Sequence, residues 1–190
     1  MTENLVYEQP QVTHLNELVA VVYTKARTYT FATTKDLNDL VGNAAEIAPT
    51  ISIDNIDLNK DGKNDEIRVK IGLGNIKAED LKAAMILQSV KYEIRDSVDA
   101  EFKLPFFNVF QSPRGGFSKL DVKGSINLKQ QETFMLGAIK RSIGFDNRGL
   151  ADNLMEMNYM DLASSVFNQN VTGEFEVQNE SWMDASKGAN

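Results

Sequence analysis

The chain reads as an all-β protein, an antiparallel β-sandwich carrying one late helix. Short segments in which apolar and polar residues alternate recur along most of its length. Ile67, Val69, Ile71 and Leu73, with Arg68 and Lys70 between them, form the clearest example. Groups of Gly, Pro, Asn and Asp punctuate these segments. A helical period shows near the C-terminal end, and no internal repeat is visible. About seven or eight strands with one helix favour two packed antiparallel layers.

The elements follow in order. Residues 17–31, ELVAVVYTKARTYTF, are rich in Val, Tyr and Thr and read as strand. Residues 32–49 turn small and polar and end at Pro49, which reads as a loop with at most a helical turn after Thr34. ISIDNI (51–56) is a short strand, and EIRVKIGL is the alternating strand already noted. In NIKAEDLKAA, Asp80 and Leu81 could start a helical turn. Residues 85–94 then become strand-like, with Val90, Tyr92 and Ile94 on one side. Residues 98–110 alternate at Val98, Ala100, Phe102 and Leu104. Pro105 confines that segment to an edge, a strand end or a bulge. SPRGG (112–116) is a turn. KLDVKGSINLK alternates at Leu120, Val122, Ile126 and Leu128, with Gly124 as a candidate bulge. FMLGAIKRSIGF (134–145) is apolar and reads as a further strand or a contact patch. Residues 158–168 carry the helix, capped by Asn158, with Tyr159, Leu162, Ala163 and Val166 at helical spacing. TGEFEVQNESW returns to alternation at Phe175 and Val177. The expected domain is 1–183, followed by a disordered tail at 184–190.

Composition removes several classes of function. The chain has 190 residues, 42% of them hydrophobic, enough for one globular core. A net charge of -7, with no basic cluster, argues against nucleic acid as a partner. The absence of cysteine excludes disulfides, thiolate chemistry and Cys-type zinc sites, and by itself assigns no compartment. The single histidine, His14 in QVTHLNELV, falls at the beginning of a strand and reads as structural, surface or half-buried, rather than catalytic. No apolar run reaches the roughly 20 residues of a membrane helix. MTENLVYEQP lacks the basic and apolar regions of a signal peptide.

DLNKDGKNDEIRVKIGL (57–73) resembles a calcium loop in its first nine residues. Asp57, Asn59 and Asp61 alternate, Gly62 stands at the sharp turn, Lys63 would offer its backbone carbonyl, and Asp65 would close the ring. The twelfth position, where an EF-hand needs a bidentate acid, is Arg68, and strands flank the loop instead of helices. Two readings therefore stand side by side. One is a strand-loop-strand site for a weak structural Ca2+, with affinity on the order of 10⁻⁴–10⁻³ M. The other is a metal-free Asn/Asp/Gly hairpin turn. Two sequons, at Asn170 and Asn179, are candidate glycosylation sites at a frequency that chance explains in a chain so rich in Asn, Ser and Thr.

Several stretches, in order, resemble the transmembrane protein 231 family of the ciliary transition zone. They are YEQPQV (7–12), DLNKDGKNDEIRVKIGL, VKGSINLKQQ (122–131) and NYMDLASSVFNQNVTGEFEV (158–177). The resemblance covers residues 7 to 183 and implies a β-rich domain outside the cytoplasm, held between two membrane helices. It also implies membership of the tectonic-like, or Meckel, complex, with other ciliary complex proteins as partners and no catalysis. Neither membrane helix lies within this sequence, so the membrane would be reached through flanking helices, or the chain is a soluble relative serving as a structural protein of the cilium.

Three functions compete. A non-enzymatic interaction domain would expose an apolar patch, with Phe106, Phe107, Phe110 and the 134–145 segment as candidates, unless these are simply core. A calcium-stabilised adhesion or carbohydrate-binding sandwich would set an exposed Trp or Tyr near the ion, but the one tryptophan, Trp182, lies beside the tail. A glycosidase-like enzyme would need two facing carboxylates, and no such pair stands out.

Overall fold

The computed structural model describes residues 9–35, 38–39, 44–95, 100–112, 115–130 and 171–184. Eight strands run through them: β1 (Gln11–Thr24), β2 (Thr28–Ala32), β3 (Pro49–Ile56), β4 (Glu66–Leu73), β5 (Leu81–Ile94), β6 (Ala100–Gln111), β7 (Phe117–Gln130) and β8 (Val171–Asp184). β1, β2, β5 and β6 form one antiparallel sheet in the order β2-β1-β5-β6. β3-β4 and β7-β8 are two antiparallel hairpins. The all-β architecture expected from alternation is present. The helix expected at 158–168 and the apolar segment 134–145 lie outside the described residues, as does the tail expected at 184–190 except for Asp184, which ends β8 and pairs with Phe117.

Both hairpins lie against the same face of the four-stranded sheet. Leu18, Ala20 and Val22 of β1 and Phe31 of β2 pack with Ile51 and Ile53 of β3 and Val69, Ile71 and Leu73 of β4. Val90 of β5 and Phe102, Leu104 and Phe106 of β6 pack with Ile126 and Leu128 of β7 and Phe175 of β8. The Phe106 and Phe175 rings stack at 6.2 Å. Val19 and Val21 point to the opposite face and are buried as well, at 3% and 0% exposure. Burial on both faces explains why LVAVV (18–22) is a continuous apolar run and not an alternation.

Residues 17–31 are two strands, not one. The chain reverses at Lys25–Arg27 with none of the usual turn residues. Thr24 supplies the closure: its hydroxyl donates to the Arg27 carbonyl at 2.7 Å and accepts from the Arg27 amide at 3.1 Å. The helical turn expected after Thr34 is marked by the Asn38 amide donating to the Thr34 carbonyl at 3.1 Å. The Asn38 side chain then binds both backbone groups of Ala32 and so caps the β2 end. The turn expected at Asp80 and Leu81 is a 3₁₀ turn at Ala78–Asp80, and Leu81 already belongs to β5.

Pro105 sits in β6, at the end of the sheet order, where a missing amide donor leaves one side of the ladder intact. The expected irregularity at Gly124 is real. The β7-β8 register slips between Lys123 and Gly124, so that Lys123 faces Asn179 while Gly124 faces Val177. Trp182 is tied into the fold. It stands edge-on to Phe117, with centroids 4.7 Å apart, and joins the β1-β4 core cluster.

Candidate functional site

The acidic loop joins β3 to β4, and the structure brings its five singled-out residues together. The side chains of Asp57, Asn59, Asp61 and Asp65 act on the loop's own backbone. Asp57 accepts from the Lys60 amide at 2.7 Å and from the Gly62 amide at 2.9 Å. Asn59 accepts from the Asp61 amide at 3.0 Å, and its side-chain NH2 donates to Asp61 at 3.0 Å. Asp61 accepts from the Lys63 amide at 2.8 Å. Asp65 accepts from the Leu58 and Asn59 amides at 2.8 and 3.3 Å, while its own amide closes the hairpin on the Ile56 carbonyl at 2.9 Å. Lys60 and Gly62 take left-handed backbone, φ 61° and 87°, which lets the chain fold around Asp57. Alternate acceptors in a nine-residue loop thus satisfy donors that a hairpin of this length leaves unpaired. No group of three His, Cys, Asp or Glu side chains arranged for a metal ion occurs among the described residues.

The loop is also tied to β1 and to the residues just before it, and two of the residues involved, Asn55 and Asn64, were not singled out in the sequence. The Lys63 amine donates to the Gln9 carbonyl at 2.9 Å, outside the loop. Asn64 donates to the Val12 carbonyl at 2.8 Å and to the Thr13 hydroxyl at 3.1 Å. One residue further along β1, the His14 amide donates to the Asn55 side chain of β3 at 2.8 Å. An amide side chain at a loop end is a common turn residue, so Asn55 and Asn64 carried no separate signal.

His14 is buried at 2% exposure, deeper than the surface or half-buried place expected for it. It anchors a bulge. His14 faces Val90 and Leu18 faces Gln88, so the three residues 15–17 stand opposite Ser89 alone. Asn16 in the bulge has φ 59°. Its amide donates to His14 Nδ1 at 2.9 Å, and His14 Nε2 lies 3.2 Å from Gln88 Oε1. With Nδ1 accepting, the proton belongs on Nε2, and the ring is the neutral tautomer. Burial pushes the ring's pKa below 6.5, against the Gln88 hydrogen bond and the Glu17 charge, which both raise it.

Among the described residues Glu93 is the one buried carboxylate, with a side chain 10% exposed, and it is committed to cations. The Lys91 hydrogen bond, with Arg95 on the other side, holds its carboxyl below the usual range despite burial. Its stabilising share is full above pH 4.5 and fades as pH falls through the lowered pKa. A carboxylate so paired is not a poised acid or base. Of the three phenylalanines expected in an apolar patch, Phe106 and Phe110 are core, at 3% and 8% exposure, and Phe107 is half-buried. Among the described residues, the large apolar side chains most exposed to solvent are Leu58, Val109, Val177 and Met183.

These features define an all-β domain of two packed layers whose loops and bulges are fastened by side-chain amides and carboxylates. The chain belongs to the transmembrane protein 231 family, which matches residues 1–189. The acidic loop with β4, and the β7 segment VKGSINLKQ, are among the stretches that carry the resemblance. No curated protein and no solved structure matches the chain. No helix among the described residues is long and apolar enough to cross a membrane.

Proposed function

We propose that this chain is the extracytoplasmic domain of a ciliary transition-zone membrane component, working through protein contacts and without catalysis. The family match over residues 1–189 carries this reading. It is supported by the commitment of Glu93 to cations and of His14 to a bulge, which leaves neither free for chemistry. Partners are the other proteins of the ciliary complex, and attachment to the membrane falls to helices flanking the domain. The test is to tag the full native protein in ciliated cells. Concentration at the ciliary base, with altered ciliary membrane composition when the domain is deleted, is expected. Even distribution over the cell membrane, or through the cytoplasm, overturns the reading.

For the acidic loop the proposal is a hairpin clasp that a weak Ca2+ reinforces. The hydrogen bonds of Asp57 support the clasp, and the three carboxylates within nine residues support the ion. Asp57→Ala is expected to cost about 1–3 kcal/mol in chelator, because two amides lose their acceptor. Calcium at about 1 mM is expected to raise the melting temperature of the wild type but not of Asp61→Ala. Equal melting with calcium and with chelator in both proteins overturns the calcium reading alone. Asn179 is exposed on β8, opposite Lys123, and is the proposed glycan acceptor. Asn170 lies outside the described residues.

A further inference from the structure

The Asn16 bulge joins four parts of the fold through short polar contacts. The Asn16 amide binds His14, and its carbonyl accepts from the Thr33 hydroxyl at 2.5 Å. The same hydroxyl accepts from the Leu18 amide at 2.9 Å. Gln88 of β5 holds the imidazole, and Asn55 of β3 holds the His14 amide. We propose that this bulge is a proton-operated joint, in which protonation of His14 at Nδ1 releases the Gln11–Asn16 end of β1 from the sandwich.

The chemistry follows from donor and acceptor count. Nδ1 is the acceptor for the Asn16 amide, and a proton there sets two donors face to face. Asn16 then keeps a left-handed backbone with its amide unpaired, held only through its carbonyl by Thr33. The groups near the ring are Glu17 on β1, Gln88 on β5 and Asn55 on β3. Gln88 and Asn55 are neutral. Glu17 favours the cation, but it is held 2.7 Å from Lys103 of β6, which offsets its pull. Val90 of β5 faces His14 across the ladder and belongs with Val12, Leu104 and Ile67, from β1, β6 and β4, to one apolar cluster on that side of the sheet. A buried ring with a lowered pKa binds fewer protons folded than unfolded. Its contribution is therefore complete above pH 6.5 and is lost as pH falls below that value.

Amide hydrogen exchange on the full 190-residue chain tests this at about pH 7.5 and about pH 5, corrected for intrinsic rates. Protection of the amides at 11–16 is expected to fall about tenfold or more at the lower pH, with those at 19–22 unchanged. In His14→Gln the 11–16 amides are expected to lose this pH dependence. An unchanged wild type, or the same fall in His14→Gln, overturns the proposal, the second result assigning the effect to carboxylates. Should the variant fail to fold, ring nitrogen shifts of wild-type His14 decide. A neutral Nε2–H ring whose titration moves the Asn16 amide resonance supports the joint, and titration that leaves that resonance in place overturns it.

Discussion

Phe102→Ala is expected to destabilise the domain by about 3–5 kcal/mol, the largest effect of any single truncation proposed here. Phe102 is 2% exposed and lies in the cluster that joins β5 and β6 to the β7-β8 hairpin. Removing its ring leaves a void walled by strands, and strands in a ladder cannot collapse inward without losing register. The loss is a large share of the roughly 5–15 kcal/mol that holds most domains together. Urea unfolding checks it: the midpoint is expected to drop by about 2 M at a slope near 2 kcal/mol/M. Val109→Ala is the control, because Val109 shares β6 but is 58% exposed, and its midpoint is expected to stay put. A Phe102→Ala midpoint within error of wild type would show that β6 does not pack as described.

Gly124→Ala is expected to cost about 1–3 kcal/mol although it adds one methyl group on a strand with solvent nearby. A Cβ at this position would lie 2.2 Å from the Glu176 carbonyl oxygen and 2.7 Å from the Phe175 ring. The first contact is with backbone, so it cannot be relieved by turning a side chain. It sits where the β7-β8 register slips, and the strands there have drawn together because glycine allows it. Gly74→Ala is the comparison. Its Cβ would meet nothing closer than 3.5 Å, and reduced freedom of the unfolded chain makes a neutral or slightly favourable change the expected result. Equal midpoints for the two variants would mean that the hairpin relaxes at Gly124 without cost.

The sequence carried the strands through their alternation. Arg68 and Lys70 between Val69 and its apolar neighbours, and Leu120 through Leu128 in β7, declare one buried and one exposed face, because a strand points successive side chains to opposite sides. Gly124 was legible as an irregularity for the same reason, since a glycine in an alternating run has no side chain to pack. The acidic loop was legible as a tight strand-to-strand connection. Its alternating acceptors mark a turn whether they receive backbone amides or an ion, so composition could not choose between those uses.

The bulge at Asn16 was not legible at all. It sets three residues of β1 against one of β5, two more than regular pairing needs, and an even excess leaves the inside-outside alternation undisturbed on either side. The split between β1 and β2 was hidden similarly, since Thr24 closes the turn with its hydroxyl where Gly or Asn would have announced it. What the sequence determined alone is local: which residues favour strand, which face of each is apolar, where the chain must bend sharply and which family the chain resembles. The tertiary structure decided which strands pair, that Phe106 is core and Trp182 packs against the core, and that polar contacts join His14 to Asn55 and Gln88 and Asn64 to β1. Those contacts join residues 41 to 74 positions apart, or 51 and 52 in the case of Asn64. No local pattern encodes such a contact, because hydrogen bonding and burial act across space while periodicity reports only on neighbours along the chain.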